Sequence, residues 1–275
     1  MVNDLPEINW VLQKNLTPAP VLEQIKAALN EQGVGYQEVV VIPFSNELPH
    51  GIDLRKFNIF YGSTTLMMNA YGYEPTSAGV FYEPELFSMR NYLKQWGRRL
   101  LNSDAQFFSF QELVQEDLPD KSEWFIRPNG DTKSFGGTLM SFEAIKTWYG
   151  KIAHLPESVV NATTEVIIAP PKMPAKEWRC FVVNQRIVGA CRYAQQGKLS
   201  VNVLDVPEEM RAFVQSCVSE YTPHLVFVMD VALYEGQYYL LECGCMNSTG
   251  FYKTEIAPVI QAVNECFGEQ RQSSK

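Results

Sequence analysis

The run Asp230-Val-Ala-Leu-Tyr-Glu-Gly-Gln-Tyr-Tyr-Leu-Leu-Glu242-Cys-Gly-Cys-Met-Asn247 decides how the chain is read. It has the form of two strands and a turn. Val226 to Leu233 is largely apolar, Glu235-Gly236-Gln237 supplies the turn, and Tyr238 to Cys243 returns. Asp230 interrupts the first strand and Glu242 stands near the end of the second. An acid inside an apolar strand loses its hydration unless a cation or hydrogen-bond donors compensate it. Pairing the strands about this turn brings Asp230 and Glu242 together, with Asn247 arriving from the following loop. Three oxygen donors in one place suit Mg²⁺, which keeps several waters and takes its remaining ligands from phosphates. Two carboxylates at strand edges, solvated or paired with arginine, give the same pattern.

Upstream lies a second hairpin. Glu177 to Val183 and Ile187 to Tyr193 flank Asn184-Gln185, with Arg179 and Arg192 set into otherwise β-forming runs. If numbering parity holds across the turn, both arginines point to one face. Two guanidiniums on one face repel unless anions sit between them, and their geometry suits phosphate or carboxylate. Pairing with a nearby acid such as Glu177 is the alternative. Further upstream, Thr164 to Ala169 reads as a strand ending in Pro170-Pro171, and Ser141 as the cap of a helix burying Phe142, Ile145 and Trp148. Before that, Trp124 to Pro128 leads into Asn129-Gly-Asp-Thr-Lys133-Ser134-Phe-Gly136-Gly137 and a return strand, Thr138 to Met140. Glycines let backbone N–H groups approach an anion, and a lysine on such a loop reaches a phosphate. The order of residues is not that of a P-loop, and a plain turn has the same composition.

The polar stretch Glu116 to Ser122 marks a boundary. In front of it, strands are expected at Ile8–Gln13, Glu38–Phe44, Phe57–Gly62 and Ala78–Tyr82. Helices are expected from Pro20 to near Gly33, from Ser63, and over Glu85–Leu101. Phe107 and Phe108 close this unit as a last strand, ahead of a Ser109–Gln115 helix. The alternation argues for an open, partly parallel sheet. No Gly-x-Gly-x-x-Gly follows any of these strands, so a Rossmann cofactor site is not indicated. After the arginine hairpin, Asp205 and Pro207 open an amphipathic helix, and a last helix after Thr254 presents Ile256, Val259, Ile260 and Val263.

Composition narrows the class. The 275 residues are 46% apolar and 20% charged, an ordinary globular balance. A net charge of −8 disfavours generic binding to nucleic acid or anionic membrane. No apolar run reaches membrane-spanning length, and the first residues lack a signal-peptide pattern. The six scattered cysteines fit reduced, buried thiols of a cytoplasmic protein, and Cys243-x-Cys245 has no second pair to complete a zinc site. His50, His154 and His224 are isolated.

Taken in order, a basic residue ending a strand, a Gly-rich loop with lysine, an apolar strand, an arginine hairpin, then Asp, Glu and Asn resemble the ATP-grasp superfamily. The resemblance is to the side related to RimK-type glutamate ligases of bacteria and phages, and it covers roughly Glu123 to Tyr252. It implies an α+β / α/β chain: an ATP-grasp fold of two α+β subdomains gripping ATP, preceded by an N-terminal α/β pre-ATP-grasp domain. The corresponding segments are 1–115 for that first domain, 116–170 for the small subdomain with the Gly-rich loop, and 171–275 for the C-terminal subdomain with the arginine hairpin and Mg²⁺ site.

The same resemblance assigns residues. Arg127 stands where a lysine usually touches the α- and β-phosphates. Lys133, Ser134, Gly136 and Gly137 match the mobile loop over the phosphates. Glu165, Ile167 and Ile168 lie on the hinge strand whose backbone reads the adenine edge. Glu177-Trp-Arg179 resembles an acidic-x-Arg motif and Arg192 the second arginine, both arginines serving the γ-phosphate and an acyl phosphate. Asp230, Glu242 and Asn247 match the Mg²⁺ ligands. Gly244 departs from the usual Glu-x-Asn, so Asn247 takes that role from further along. The activity implied is that of an ADP-forming, ATP- and Mg²⁺-dependent carboxylate–amine ligase working through an acyl phosphate. Its partners would be ATP, a carboxylate and an amine such as an amino acid, peptide or protein terminus. A kinase on the same fold and a non-catalytic nucleotide-binding protein are the rivals. Gly244 keeps the second of these open.

Overall fold

The computed structural model of the chain describes residues 7–43, 45–131, 134–155 and 159–273. Its first unit is built on Ile8–Gln13 (β1), in which Trp10, Val11 and Leu12 are fully buried. A strand apolar on both faces belongs in the middle of a parallel sheet. Gly35–Val39 (β2) and Phe57–Tyr61 (β3) flank it, both parallel to it. The crossover helix Ala19–Glu31 (α1) begins at a proline, whose missing N–H costs nothing there, and buries Leu22, Ile25, Ala28 and Leu29. Thr64–Tyr71 (α2) is capped by the Ser63 hydroxyl, which accepts from Leu66 N–H. Glu74–Ser77 (α3) and Met89–Trp96 (α4) follow.

Three expected elements of this unit differ. The second strand stops at Val39 because its partner β1 ends at Gln13, in register with it. Phe44, the far end of that expectation, lies outside the described residues. Ala78–Tyr82 is not a strand, although Gly79 to Tyr82 are buried. The side chain of Asn247 takes the place of a pairing partner, accepting from Phe81 N–H and donating to the carbonyls of Phe60 and Gly79. The long helix shrinks to α4 because Ser88 caps it and Gly97, at φ +49°, ends it.

The middle sheet contains Gln106–Ser109 (β4), Glu123–Pro128 (β5), Thr138–Ser141 (β6) and Glu165–Ala169 (β7), in the order β4-β7-β5-β6. Phe107 and Phe108 therefore pair with β7 instead of closing the first unit. The helix expected over Ser109–Gln115 is a single turn, Phe110–Leu113 (α5), with Ser109 and Glu112 satisfying each other's backbone N–H groups. Phe142–Ile152 (α6) covers one face. Phe110, Ile126, Phe142, Ile145, Val166 and Ile168 make a separate core there.

The third sheet takes Lys176–Val183 (β8), Arg186–Gln195 (β9), Lys198–Asn202 (β10), Val226–Tyr234 (β11) and Gln237–Gly244 (β12), in the order β10-β9-β8-β11-β12. Its hairpin turns, Asn184-Gln185, Gln196-Gly197 and Glu235-Gly236, have positive φ at both residues, which matches the right-handed twist of the strands they join. Glu208–Glu220 (α7) starts three residues later than expected, after Pro207. Ile256–Ser273 (α8) ends the described chain.

The first and third sheets share their cores. Trp10, Leu12 and Ile59 pack in one cluster with Phe181, Val228, Val259 and Ile260. Phe60, Tyr92 and Trp96 pack in another with Trp178, Val214 and Met229. Each such side chain, removed from water, contributes about 1.5–3 kcal/mol. Among the described residues, no helix is long and apolar enough to cross a membrane.

Candidate functional site

A cleft of about 600 Å³ opens between the middle and third sheets, within the range of small-molecule sites. Phe125 and Arg127 line it from β5, Leu139 from β6, Gly136 and Gly137 from the loop between these strands. Glu177 and Tyr193 face them from β8 and β9, and Leu241 and Glu242 from β12.

Asp230 and Glu242 are cross-strand partners, as the hairpin predicts, but the facing depends on a bulge. The pairs Asp230–Glu242 and Val231–Leu240 leave Leu241 as an extra residue, which re-aims the end of the strand. On its other side Asp230 faces Arg179. The guanidinium grips the carboxylate with two bonds, Nε to Oδ1 at 2.9 Å and Nη2 to Oδ2 at 2.7 Å. Burial works against the charge on Arg179, but the Asp230 carboxylate outweighs it and holds the guanidinium well above its ordinary pKa. Arg127 reaches from the opposite sheet to Glu242 at 2.5 Å. There too burial opposes the charge, and Glu242, Tyr92 and Asp131 together raise the Arg127 pKa above its ordinary value. Two carboxylates side by side repel. Here a guanidinium answers each.

Beside these pairs Tyr193, which lines the cleft, belongs to an aromatic stack. Tyr193 and Tyr252 stack at 5.0 Å and 6°, and the Arg179 guanidinium lies over both rings. Arg179 also donates to the Gly250 carbonyl at 3.3 Å. The Tyr193 hydroxyl donates to Glu177 Oε2 at 2.7 Å. Burial raises the Glu177 pKa, the Tyr193 bond pulls it back, and the charges of Asp230 and Glu242 raise it further.

Several expected site residues stand elsewhere. Arg192 is not beside Arg179. Val188 is inserted between the Phe181–Gly189 and Val182–Ile187 pairs, which reverses the parity, so Arg192 faces Trp178 on the far side of the sheet. It lies 3.3 Å from Asp205 and bonds to Gln195 and Ser200. Ile167 and Ile168 are fully buried on β7, whose two edges pair with β4 and β5. Their backbone is therefore taken, and Lys172, Met173 and Pro174, just past β7, line the cleft instead. Glu165 binds Arg90 and Asn129. Asn247 is 1% exposed and spends its amide on the first unit, so it does not join Asp230 and Glu242. Ser134 is half-buried and outside the cleft lining. Lys133 lies outside the described residues. Residues that sequence reasoning missed are Asp131, Tyr193, Leu241 and Tyr252. Bulges placed Tyr193 and Leu241, and nothing local announces a bulge. Tyr252 carries a positive φ of 53°, uncommon for a non-glycine residue.

Among the described residues, no three His, Cys, Asp or Glu side chains are grouped to cage a metal ion. Two adjacent carboxylates nonetheless fit Mg²⁺ arriving with phosphates, since that ion needs only one or two from the protein. The donor set is of the right chemistry.

A flanking pair of sheets with charged groups converging on the cleft between them defines a class of nucleotide-gripping folds. Residues 71–263 match a family model of the ATP-grasp domain (clade family 3), and the chain belongs to that ATP-grasp family. Solved structures agree on the fold. D-alanine–D-alanine ligase from Bacillus anthracis aligns over 98% of this chain and 100% of its own, at 13% identity and TM-score 0.58. The RimK domain ATP-grasp protein from Sphaerobacter thermophilus aligns over 92% and 97%, at 12% identity and TM-score 0.59. The ATP-grasp ligase PsnB, complexed with a minimal precursor, aligns over 95% and 99%, at 12% identity and TM-score 0.55. No curated protein sequence matches the chain at a significant level.

Proposed function

We propose that the chain is an ADP-forming ligase that joins a carboxylate to an amine at the expense of ATP. One observation carries this reading: Asp230–Arg179 and Glu242–Arg127 set two carboxylates and two guanidiniums side by side on paired strands, the second pair lining the cleft. Family membership and the ligases among the similar folds support it. A PsnB structure of TM-score 0.50 holds precursor, Mg and ADP.

In this reading the base lies against Phe125, Leu139, Met173 and Leu241, and Glu177 and Tyr193 offer hydrogen bonds to the nucleotide's polar groups. Asp230 and Glu242 would hold Mg²⁺, which would supply neutralisation of the phosphate charge. Arg127 turns from Glu242 toward the α- and β-phosphates. Arg179 meets the γ-phosphate and the substrate carboxylate. A carboxylate oxygen attacks the γ-phosphorus and the bond to the β-phosphate oxygen breaks, giving ADP and an acyl phosphate. The amine then attacks the carbonyl, phosphate leaves and the amine gives up a proton. Chemistry of this kind works by positioning and by fixed charge.

Incubation with MgATP and a mixed pool of amino acids and peptides, read by mass spectrometry, tests the proposal. Amide product with ADP and phosphate is the expected result. A phosphorylated product without amide would make the chain a kinase, and nucleotide binding with no ADP formed would make it a non-catalytic binder.

A further inference from the structure

The mechanism above leaves Asp131 without a role, although it is 5% exposed and lines the cleft. Its Oδ2 accepts from the Cys245 N–H at 2.9 Å, across 114 positions of sequence. That contact runs from the loop after β5 to the residue after β12. A Cβ at residue 244 would be in ordinary contact with the two Asp131 oxygens, at 3.4 and 3.5 Å, so the Asp131 carboxylate packs directly against the end of β12.

The root of the same loop is fixed independently. Asn129 N–H donates to the Glu165 carbonyl at 3.0 Å, and the Asn129 carbonyl and Oδ1 accept from the first N–H groups of α4, those of Met89 and Arg90, at 2.9 and 3.0 Å. Arg127 stands two residues before Asn129, and Glu242 two residues before Gly244. The Asp131–Cys245 contact thus closes a short frame around the Arg127–Glu242 pair. Small errors in such a frame move both charged groups.

We propose that Asp131 is a positioning residue of the nucleotide site: by accepting from Cys245 N–H, it sets the separation of Arg127 and Glu242 across the cleft. The proposal rests on the nucleotide reading of that cleft. Calorimetric titration with ADP in the presence of MgCl₂ tests it, with thermal melts of each variant alongside. Asp131→Ala raises the Kd for MgADP roughly 10- to 100-fold, the usual effect of losing a group that orients metal-site residues. Asp131→Asn keeps an oxygen acceptor for Cys245 N–H and restores most of the affinity. Native affinity in Asp131→Ala with only a lowered melting temperature would overturn the proposal. So would an Asp131→Asn variant as weak as Asp131→Ala, which would assign the effect to charge. Failure of the unmodified protein to bind MgADP would reject the nucleotide reading itself.

Discussion

Asp230 and Glu242 look alike in the sequence, yet they differ in what their removal costs. Asp230 is 3% exposed and answers a buried guanidinium with two bonds. Asp230→Asn leaves Arg179 buried without its counter-charge, and a loss of about 3 kcal/mol is expected in urea denaturation. Glu242 has a side chain 33% exposed but answers Arg127, which is only 12% exposed, so Glu242→Gln should cost some stability, less than Asp230→Asn, while removing ATP turnover. Comparing the two variants separates stability from chemistry. Glu177 supplies a pH test. Its folded pKa is raised above the ordinary 4.5, first by burial, so the folded state binds the proton more tightly than the unfolded one. Stability from this group is complete below the ordinary value and is lost as pH rises through the raised one. Glu177→Gln should therefore resist urea better than the native protein at pH 7 to 8, and the gain should vanish near pH 4. An unchanged difference across that range would contradict the assigned burial.

At the scale of elements, the loop after β12 is held by the first unit as firmly as by its own sheet. Asn247 supplies three bonds to the backbone around Phe60, Gly79 and Phe81, and the Tyr61 hydroxyl donates to the Thr249 carbonyl at 2.9 Å. Asn247→Ala orphans those buried groups, and a loss of about 3 kcal/mol is expected by chemical denaturation, with the Asp230–Glu242 hairpin intact by circular dichroism. The hairpins themselves were legible, because turn residues and apolar alternation are local. The faces of their side chains were not. Val188, Tyr193 and Leu241 are single extra residues, and each one reverses which side of the sheet the following residues occupy. Arg192 leaves the Arg179 face for that reason. The true neighbours of Arg179 are Asp230, Tyr193 and Tyr252.

At the scale of the molecule, the middle sheet carries its own core while the first and third sheets share theirs. The cleft lies between the middle sheet and the third. Nucleotide binding should therefore change protection against hydrogen exchange most in β5, β6 and residues 172–174, and least in α1 and α8. Mass spectrometry of deuterium uptake with and without MgADP checks this. Equal protection of all segments would place the ligand elsewhere.

The order of motifs along the chain was enough to identify the family, because the chemistry a family performs restricts which residue types serve and in what succession. The sequence alone also marked the paired turns and the main helices, whose causes lie within a few residues. Only the tertiary structure decided which arginine meets which acid, that Asn247 ties the loop after β12 to the first unit, and that Asp131 accepts from Cys245 N–H. Those outcomes depend on strand bulges and on contacts between residues more than a hundred positions apart, and no local preference encodes either.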